Sequence, residues 1–145
     1  MTSNKTSALK YAESILCELV IKKEWQISKA RQELKKIALS QGYNSTSIVE
    51  LVTSMSELAY NLFFHTNNGG EIKISVIKCD NGTGIKLACN DSGPGIISIE
   101  DALQDGYSTN GGLGGGLPGI KRLMDEFTIA SNQHGTSITC LKWLI

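Results

Sequence analysis

The chain carries Asp91-Ser-Gly-Pro-Gly95 at the end of an apolar run, and further along it reads Gly111-Gly-Leu-Gly-Gly-Gly-Leu-Pro-Gly119. An acidic side chain beside glycines suits a nucleotide, because the carboxylate can read a base while bare backbone approaches the ligand. The second glycine cluster leads directly into a predicted helix, and a helix N-terminus is a binding site for phosphate. The two segments together predict a nucleotide site.

The composition fits one soluble domain. The chain has 145 residues, a hydrophobic fraction of 41% and a formal net charge of zero, so it offers no bulk attraction for nucleic acid or an anionic membrane. No apolar run reaches the roughly 18 residues of a membrane helix. We expect residues 1–12 to form a flexible tail and residues 13–145 to form a single domain.

The cysteines and histidines show no metal-ligand spacing. We expect all four cysteines to be small buried hydrophobes of a cytoplasmic protein, and neither histidine to bind a metal or act in catalysis. These residues are Cys17, Cys79, Cys89, Cys140, His65 and His134.

The hydrophobic periodicity predicts an order of βααββ(α)αββ. Gly42 has the position of a C-terminal cap for the first helix, and Ser47 with Glu50 has capping-box spacing at the second. The order predicts an α/β two-layer sandwich, with a mixed, mostly antiparallel sheet and helices on one face. The partner of the first strand stays open. The predicted elements are a strand at 14–22, helices at 27–41 and 46–64, strands around 72–76 and 85–89, a short helix at 98–105, a mobile loop at 106–116, a helix from about 117, and strands at 127–130 and 136–144.

Asp91 is the candidate reader of the base. A carboxylate at this place accepts a hydrogen bond from the exocyclic amino group of adenine, whereas guanine carries a carbonyl there. Gly93 and Gly95 would let the backbone pass close to the base. The alternative is an ordinary turn, because the same residue types are strong turn formers.

The glycine loop is a candidate anion site. Gly114 to Gly119 fits the spacing GxGxxG, but no predicted strand directly precedes the loop, as the dinucleotide fingerprint requires, and no Walker motif follows it. Free amides and the macrodipole at the start of the next helix remain as the phosphate-binding groups. The alternative is an exposed linker.

Glu57 and Asn61 are four residues apart, so they project from one side of the second predicted helix, at its polar edge. The amide oxygen of Asn61 could bind Mg²⁺, which takes few protein ligands beside phosphate and water. Glu57 could orient or deprotonate an attacking hydroxyl near the terminal phosphate. The alternative is a solvated helix face. Thr136, after Gly135, could bond a base through its hydroxyl, although this pair is also common in turns.

These pieces, in this order, resemble the GHKL (Bergerat) ATP-binding fold that gyrase, MutL, sensor histidine kinases and anti-sigma-factor kinases share. Glu57-Leu-Ala-Tyr-Asn61 resembles its N box, and Asp91-Ser-Gly-Pro-Gly95 resembles its first glycine box. Gly112-Leu-Gly-Gly-Gly116 and Gly135-Thr136 resemble the second and third boxes. Each motif alone is weak, and the set of four is specific.

A finer resemblance concerns the segment 105–127 and the ending Leu141-Lys-Trp-Leu144, which are similar to the RsbT-type serine/threonine kinases of bacterial stressosomes. It implies an ATP- and Mg²⁺-dependent kinase that phosphorylates STAS-domain partners in stress signalling. It also implies that the released kinase activates a PP2C-type phosphatase or another output enzyme. Nucleic acid and membrane are not implied as partners.

The resemblance also assigns roles to residues. Glu57 becomes the candidate catalytic base, Asn61 the magnesium ligand, Asp91 the adenine reader and Thr136 a second group on the adenine side. A contact of Lys121 or Arg122 with phosphate stays open. The residues implied to shape the nucleotide pocket and its lid are Gly93, Gly95, Gly112, Leu113, Gly114, Gly115, Gly116 and Leu117.

Two other functions remain compatible with the same residues. One is a nucleotide-gated binding or anti-sigma module with little catalysis. The other is the catalytic module of a split histidine kinase, because the sequence shows no phosphoacceptor-histidine helix. The sequence names neither the partner nor the signal.

Overall fold

The computed structural model describes residues 12–66, 68–80, 82–91 and 116–145. The predicted tail apart from its last residue, the short helix at 98–105 and nearly all of the loop at 106–116 therefore lie outside the described residues. Every other predicted element is present, with its ends displaced by a few residues. The elements are β1 (Ala12–Ile21), α1 (Glu24–Ser40), α2 (Ser45–His65), β2 (Gly70–Cys79), β3 (Gly82–Asp91), α3 (Gly116–Leu123), β4 (Glu126–Asn132) and β5 (Gly135–Trp143).

The strands form one sheet in the order β1-β2-β3-β5-β4. The two hairpins, β2–β3 and β4–β5, meet where β3 pairs with β5, and β1 lies at the edge beside β2. A two-layer α/β fold is therefore confirmed, and the partner of β1 is now known. All pairings between the described strands are antiparallel, so the mixed component that we expected is not found. Short turns join β2 to β3 and β4 to β5, and such hairpins are antiparallel. Helix α3 precedes β4 and brings the chain back, so that β5 also runs antiparallel to β3.

The core lies between the sheet and the helices, and the predicted apolar helix faces are confirmed. In β2 and β3 alternate residues point into this core, as a half-buried sheet requires. Fully or almost fully buried members are Ile27, Ala30, Leu34 and Ala38 of α1, Leu51, Met55, Leu58 and Leu62 of α2, and Ile72, Ile74, Ile85 and Leu87 of the sheet. Within the described residues, no helix is long and apolar enough to cross a bilayer.

The helix ends agree only partly with the predicted caps. Gly42 closes α1 as predicted, in a Schellman arrangement: Tyr43 N–H donates to the Ala38 carbonyl at 3.1 Å, and Gly42 N–H donates to the Leu39 carbonyl at 3.1 Å. The predicted capping box at the start of α2 is wrong. Asn44 is the N-cap, and its Oδ1 accepts from the Ser47 N–H at 2.8 Å. Asparagine is among the strongest N-cap residues, so the helix begins earlier than the box implied.

The cysteines are all free, but only two of them are core residues. Cys89 and Cys140 are buried, while Cys17 and Cys79 are half-buried. Burial raises the pKa of the Cys140 thiol to about 12 and also raises the pKa of Cys89, so both stay protonated and inert near neutral pH. The expectation that all four are buried hydrophobes is therefore wrong for Cys17 and Cys79, since Cys17 lies on the edge strand and Cys79 ends β2.

Candidate functional site

The candidate site begins at the end of the sheet where β3 stops and β5 starts. Asp91 is the last residue of β3 and is half-buried. Asn90 pairs with Ser137, so the same antiparallel register places Asp91 across from Thr136. Thr136 is buried, and its Oγ1 lies 2.9 Å from Ser131 Oγ. The fold thus brings the two residues predicted for the adenine side to neighbouring positions on adjacent strands.

Gly70 brings helix α2 close to this end of the sheet. It pairs with Asp91 across the β2–β3 ladder. A Cβ at Gly70 would lie 2.3 Å from the Asn90 carbonyl oxygen and 2.6 Å from Leu62 Cδ2, so only glycine fits here. Leu62 therefore lies directly over the strand end, and its neighbour Asn61 comes to the same end of the molecule as Asp91. The signal for this close approach is visible in the sequence, where a Gly-Gly pair comes directly before the alternating strand.

Asn61 presents a buried amide oxygen toward this site. Its Oδ1 is buried and has no hydrogen bond to any described residue. Such a group costs about 1–3 kcal/mol unless something satisfies it, which makes it a candidate ligand-binding atom. An amide oxygen is a suitable donor for Mg²⁺. No group of three or more His, Cys, Asp or Glu side chains could hold a metal in the described part of the chain. The structure thus fits a cation that takes one oxygen here and most of its ligands elsewhere.

Glu57 is buried, which excludes the alternative of a solvated helix face. Its exposed fraction is 0%. Its Oε1 accepts a hydrogen bond of 3.0 Å from the backbone N–H of Gly116, the first residue of α3. The polar edge of α2 is not solvated at this position because α3, whose first residue is 59 positions away in sequence, covers it. A carboxylate at a helix N-terminus is stabilised by the macrodipole and the unpaired amides there.

Helix α3 starts at the glycine loop. Gly116 has a φ of 71°, a left-handed conformation that favours glycine. Leu117 is buried in the core, so only its backbone is available to a nucleotide. Lys121 and Arg122 are exposed and lie in the last turn of this short helix. They lie about 8–9 Å along the axis from the helix start, at the end where cations are favoured.

The remaining predicted pocket and lid residues cannot be placed against these atoms. They belong to the segment between Asp91 and Gly116, which lies outside the described residues. They are Gly93, Gly95, Gly112, Leu113, Gly114 and Gly115.

Sequence reasoning missed an ion pair behind α3. Lys142 on β5 is only 7% exposed. Its Nζ lies 2.8 Å from Glu50 Oε1 of α2 and donates to the Leu123 carbonyl of α3 at 2.8 Å. The signal was present in the alternation of β5, which puts Thr136, Lys142 and the residues between them at even positions on the buried face. A lysine on that face requires a buried partner.

Comparison with known proteins assigns this arrangement to a family. A family model described as a histidine kinase-like ATPase domain matches residues 20–142. The chain is 42% identical over 122 residues to the serine/threonine-protein kinase RsbT of Bacillus subtilis, covering 83% of this chain and 91% of that protein. It is also 34% identical over 104 residues to the anti-sigma F factor of Bacillus cytotoxicus, covering 67% of this chain and 70% of that protein.

A solved structure supports the fold. The crystal structure of the RsbU and RsbW domains of Rv1364c from Mycobacterium tuberculosis matches with a TM-score of 0.61 and 17% identity. The match covers 92% of this chain and 32% of that longer chain. The solved structure supports the fold, and the family match and the relatives support the family. The chain belongs to the histidine kinase-like ATPase family, among the ATP-using protein serine/threonine kinases similar to RsbT.

Proposed function

We propose that this kinase uses Mg-ATP to phosphorylate serine or threonine on STAS-domain partners, and that after release it activates a PP2C-type phosphatase or another output enzyme. One observation carries the kinase part: the fully buried Glu57 carboxylate contacts the first amide of α3, one helical turn from an Asn61 oxygen that has no partner among the described residues. The similarity to a named serine/threonine kinase supports the same reaction class. The partner classes rest on the resemblance of the sequence motifs.

The proposed nucleotide lies across the end of the sheet. The Asp91 carboxylate accepts a hydrogen bond from the adenine amino group, and Thr136 lies beside Asp91 on the neighbouring strand. The phosphates lie toward the start of α3, where the backbone amides and the macrodipole favour negative charge. Asn61 Oδ1 would hold Mg²⁺, which would supply positive charge against that of the phosphates.

Glu57 is the proposed general base. A hydroxyl of the partner protein attacks the γ-phosphorus in line with the leaving β-phosphate oxygen, and the Glu57 carboxylate accepts its proton. The hydrogen bond from Gly116 fixes the direction of this carboxylate, since a group donating to one oxygen removes its rotational freedom. Burial excludes water, which strengthens the electrostatic contribution of the site. Most of the rate therefore comes from positioning.

The test is the intact mass of a candidate STAS-domain protein from the same genome after incubation with the kinase and Mg-ATP. Wild type should add one phosphoryl group, and Glu57→Gln should add none. Glu18→Gln is the matched control, because Glu18 is an exposed glutamate on β1, away from α3. Transfer by Glu57→Gln at the wild-type rate would overturn the role of Glu57.

The second candidate function is a nucleotide-gated binding module with slow or absent catalysis. Similarity to an anti-sigma F factor favours it. Wild type that binds ATP but adds no phosphoryl group to any STAS candidate would select this function. A split histidine kinase makes a different product, because phosphohistidine is lost in acid whereas phosphoserine survives.

We further propose that residues 13–145 form one domain in the cytoplasm. The family match over 20–142 supports the domain assignment. The four free cysteines are compatible with a reducing compartment.

A further inference from the structure

We infer that Lys142 is a positioning residue, which together with Glu50 holds α3 in the place where its first amide meets Glu57. This inference rests on the proposed function, in which Glu57 is the base. Nothing in the nucleotide-contact motifs includes Lys142 or Glu50. Both act through α3 and neither touches the reacting atoms.

The contacts define a clamp of three groups, which we call the α3 clamp: Glu50, Lys142 and the Leu123 carbonyl. The Lys142 ammonium bridges the other two, with 2.8 Å to the Glu50 carboxylate and 2.8 Å to the Leu123 oxygen. The backbone of Lys142 is held as well, because the buried hydroxyl of Tyr43 donates a hydrogen bond of 2.7 Å to the Lys142 carbonyl. A cation at the last carbonyls of a helix also interacts favourably with the macrodipole.

The spacing of the contacts matches on the two helices. Glu50 and Glu57 are seven residues apart on α2, and Gly116 and Leu123 are seven residues apart on α3. At about 1.5 Å per residue, each separation is about 10.5 Å along its helix. Glu57 contacts the beginning of α3 directly, and Glu50 contacts its end through Lys142. The two helices therefore run antiparallel, and α2 holds α3 at both ends.

The position of α3 depends on such contacts. The helix has eight residues, too few to be stable by itself in water. Its core-facing side chains fix its depth in the fold, but apolar contacts are less directional than hydrogen bonds. The charged hydrogen bond to Leu123 adds a directional contact at the end of the helix. The ion pair is only partly buried, since the Glu50 side chain is 31% exposed, and such a pair contributes little net stability after desolvation, so its worth lies more in geometry.

A shift of α3 along its axis would move the Gly116 amide away from the Glu57 carboxylate. The bond between them is 3.0 Å long, and hydrogen bonds weaken steeply beyond about 3.2–3.5 Å. A displacement below one ångström would thus break this hydrogen bond. The α3 clamp therefore controls the orientation of Glu57 from the opposite end of the helix.

The experiment compares amide hydrogen exchange and transfer kinetics in the full chain. In nucleotide-free Lys142→Met, we expect the α3 amides to exchange at least about tenfold faster than in wild type, since a charged hydrogen bond is lost. At saturating Mg-ATP we expect kcat to fall about tenfold or more, with a smaller change in the KM for ATP. Lys142→Arg keeps a cation that can meet both oxygens, so it should recover most of both losses.

Lys86→Met is the matched control. Lys86 makes an ion pair of 3.0 Å with Glu13 between β3 and β1, so its loss removes a comparable interaction without touching α3. It should leave α3 exchange and kcat unchanged. A Lys142→Met variant that behaves like Lys86→Met in both measurements would overturn the inference. If circular dichroism shows that Lys142→Met does not fold, the same two measurements are made on Glu50→Gln. We then expect faster exchange of the α3 amides and a lower kcat, both by smaller factors than for Lys142→Met.

The exchange measurement separates this inference from the proposed function. Absence of transfer by wild type would refute the kinase function, while exchange in nucleotide-free protein would still decide whether the clamp holds α3. Faster α3 exchange in Lys142→Met with unchanged kcat would refute the positioning role and leave the kinase function intact.

Discussion

Replacing Glu57 by glutamine should separate stability from activity. Glutamine has nearly the same size, and its Oε1 can still accept the hydrogen bond from the Gly116 N–H. The variant therefore keeps the contact and loses the charge. Because Glu57 is 0% exposed, that charge lies out of water in the folded protein.

The expected effect on stability follows from opposing contributions. A hydrogen bond to a charged group contributes about 1.5–3 kcal/mol to stability, and a hydrogen bond between neutral groups contributes about 0.5–1.5 kcal/mol. Replacing glutamate by glutamine therefore loses about 1 kcal/mol of this contribution. Loss of the interaction with the macrodipole removes about 0.3–2 kcal/mol more. In the other direction, the several kcal/mol that desolvation of a buried ion costs are no longer required. The free energy of unfolding should therefore stay unchanged or rise.

Glu57→Ala is the informative comparison. It leaves the Gly116 N–H buried without its partner, which costs about 1–3 kcal/mol, and it creates a cavity. In urea unfolding of the nucleotide-free proteins, the free energy of unfolding of Glu57→Gln should therefore exceed that of Glu57→Ala by at least about 1 kcal/mol. Both variants should lose about 10²–10⁴-fold in transfer at saturating Mg-ATP, since neither has a base.

Two results would refute the reasoning. If Glu57→Ala is as stable as Glu57→Gln, the Gly116 contact contributes nothing to stability, and the burial of Glu57 needs another explanation. If glutamine retains transfer within tenfold of wild type, the proton goes elsewhere and Glu57 is not the base. Unchanged ATP affinity in both variants would show that the loss lies in the chemical step.

Three further predictions concern the same fold. Asp91→Asn should abolish measurable ATP binding in isothermal titration while its circular dichroism stays native, because a neutral amide oxygen is a weaker acceptor for the adenine amino group than a carboxylate and the amide NH₂ is a competing donor; retained affinity would refute the adenine assignment. Asn61→Ala should weaken Mg²⁺-dependent ATP binding at least about tenfold, yet change urea stability by less than about 1 kcal/mol, since its Oδ1 has no partner among the described residues. Stability should fall as pH rises from about 9 to 12: the unfolded chain releases protons from cysteine and tyrosine there, whereas burial raises the folded pKa of Cys140 and of Tyr43 to about 12. Tyr43→Phe should flatten the fall between pH 10 and 12, and an unchanged slope would contradict the burial of that hydroxyl.

The fold could be read from the sequence because its signals are local. Alternation in β2 and β3 and helical spacing in α1 and α2 each depend on a few neighbouring residues, and Gly42 ends a helix through bonds within one turn. The pairing of β1 with β2 could not be read, since two helices separate them and no local pattern encodes the choice. The cap at Asn44 was missed because several residues nearby could begin a helix.

The site residues and their roles were predicted through motif resemblance and stay predictions, but the burial of Glu57 could not be predicted in that way. A helical pattern assigns Glu57 to the face that its own helix leaves polar, and it contains no information on what another helix covers. Only the packing of α3 shows that this carboxylate is buried against an amide. The same limit applies to Lys142, whose partners come from two other elements.

The buried charges indicate where function has shaped this core. Among the described residues, Glu57 and Lys142 are the only buried side chains that carry a charge, and each contacts one end of α3. A core selected for stability alone would replace both with apolar residues, because buried ion pairs are commonly no better than well-packed hydrophobic ones. Local violations of the rules for stable cores are expected at functional sites. Because both charges contact α3, we expect the protein to control the position of this short helix, with the proposed phosphate site at its start and the proposed clamp at its end.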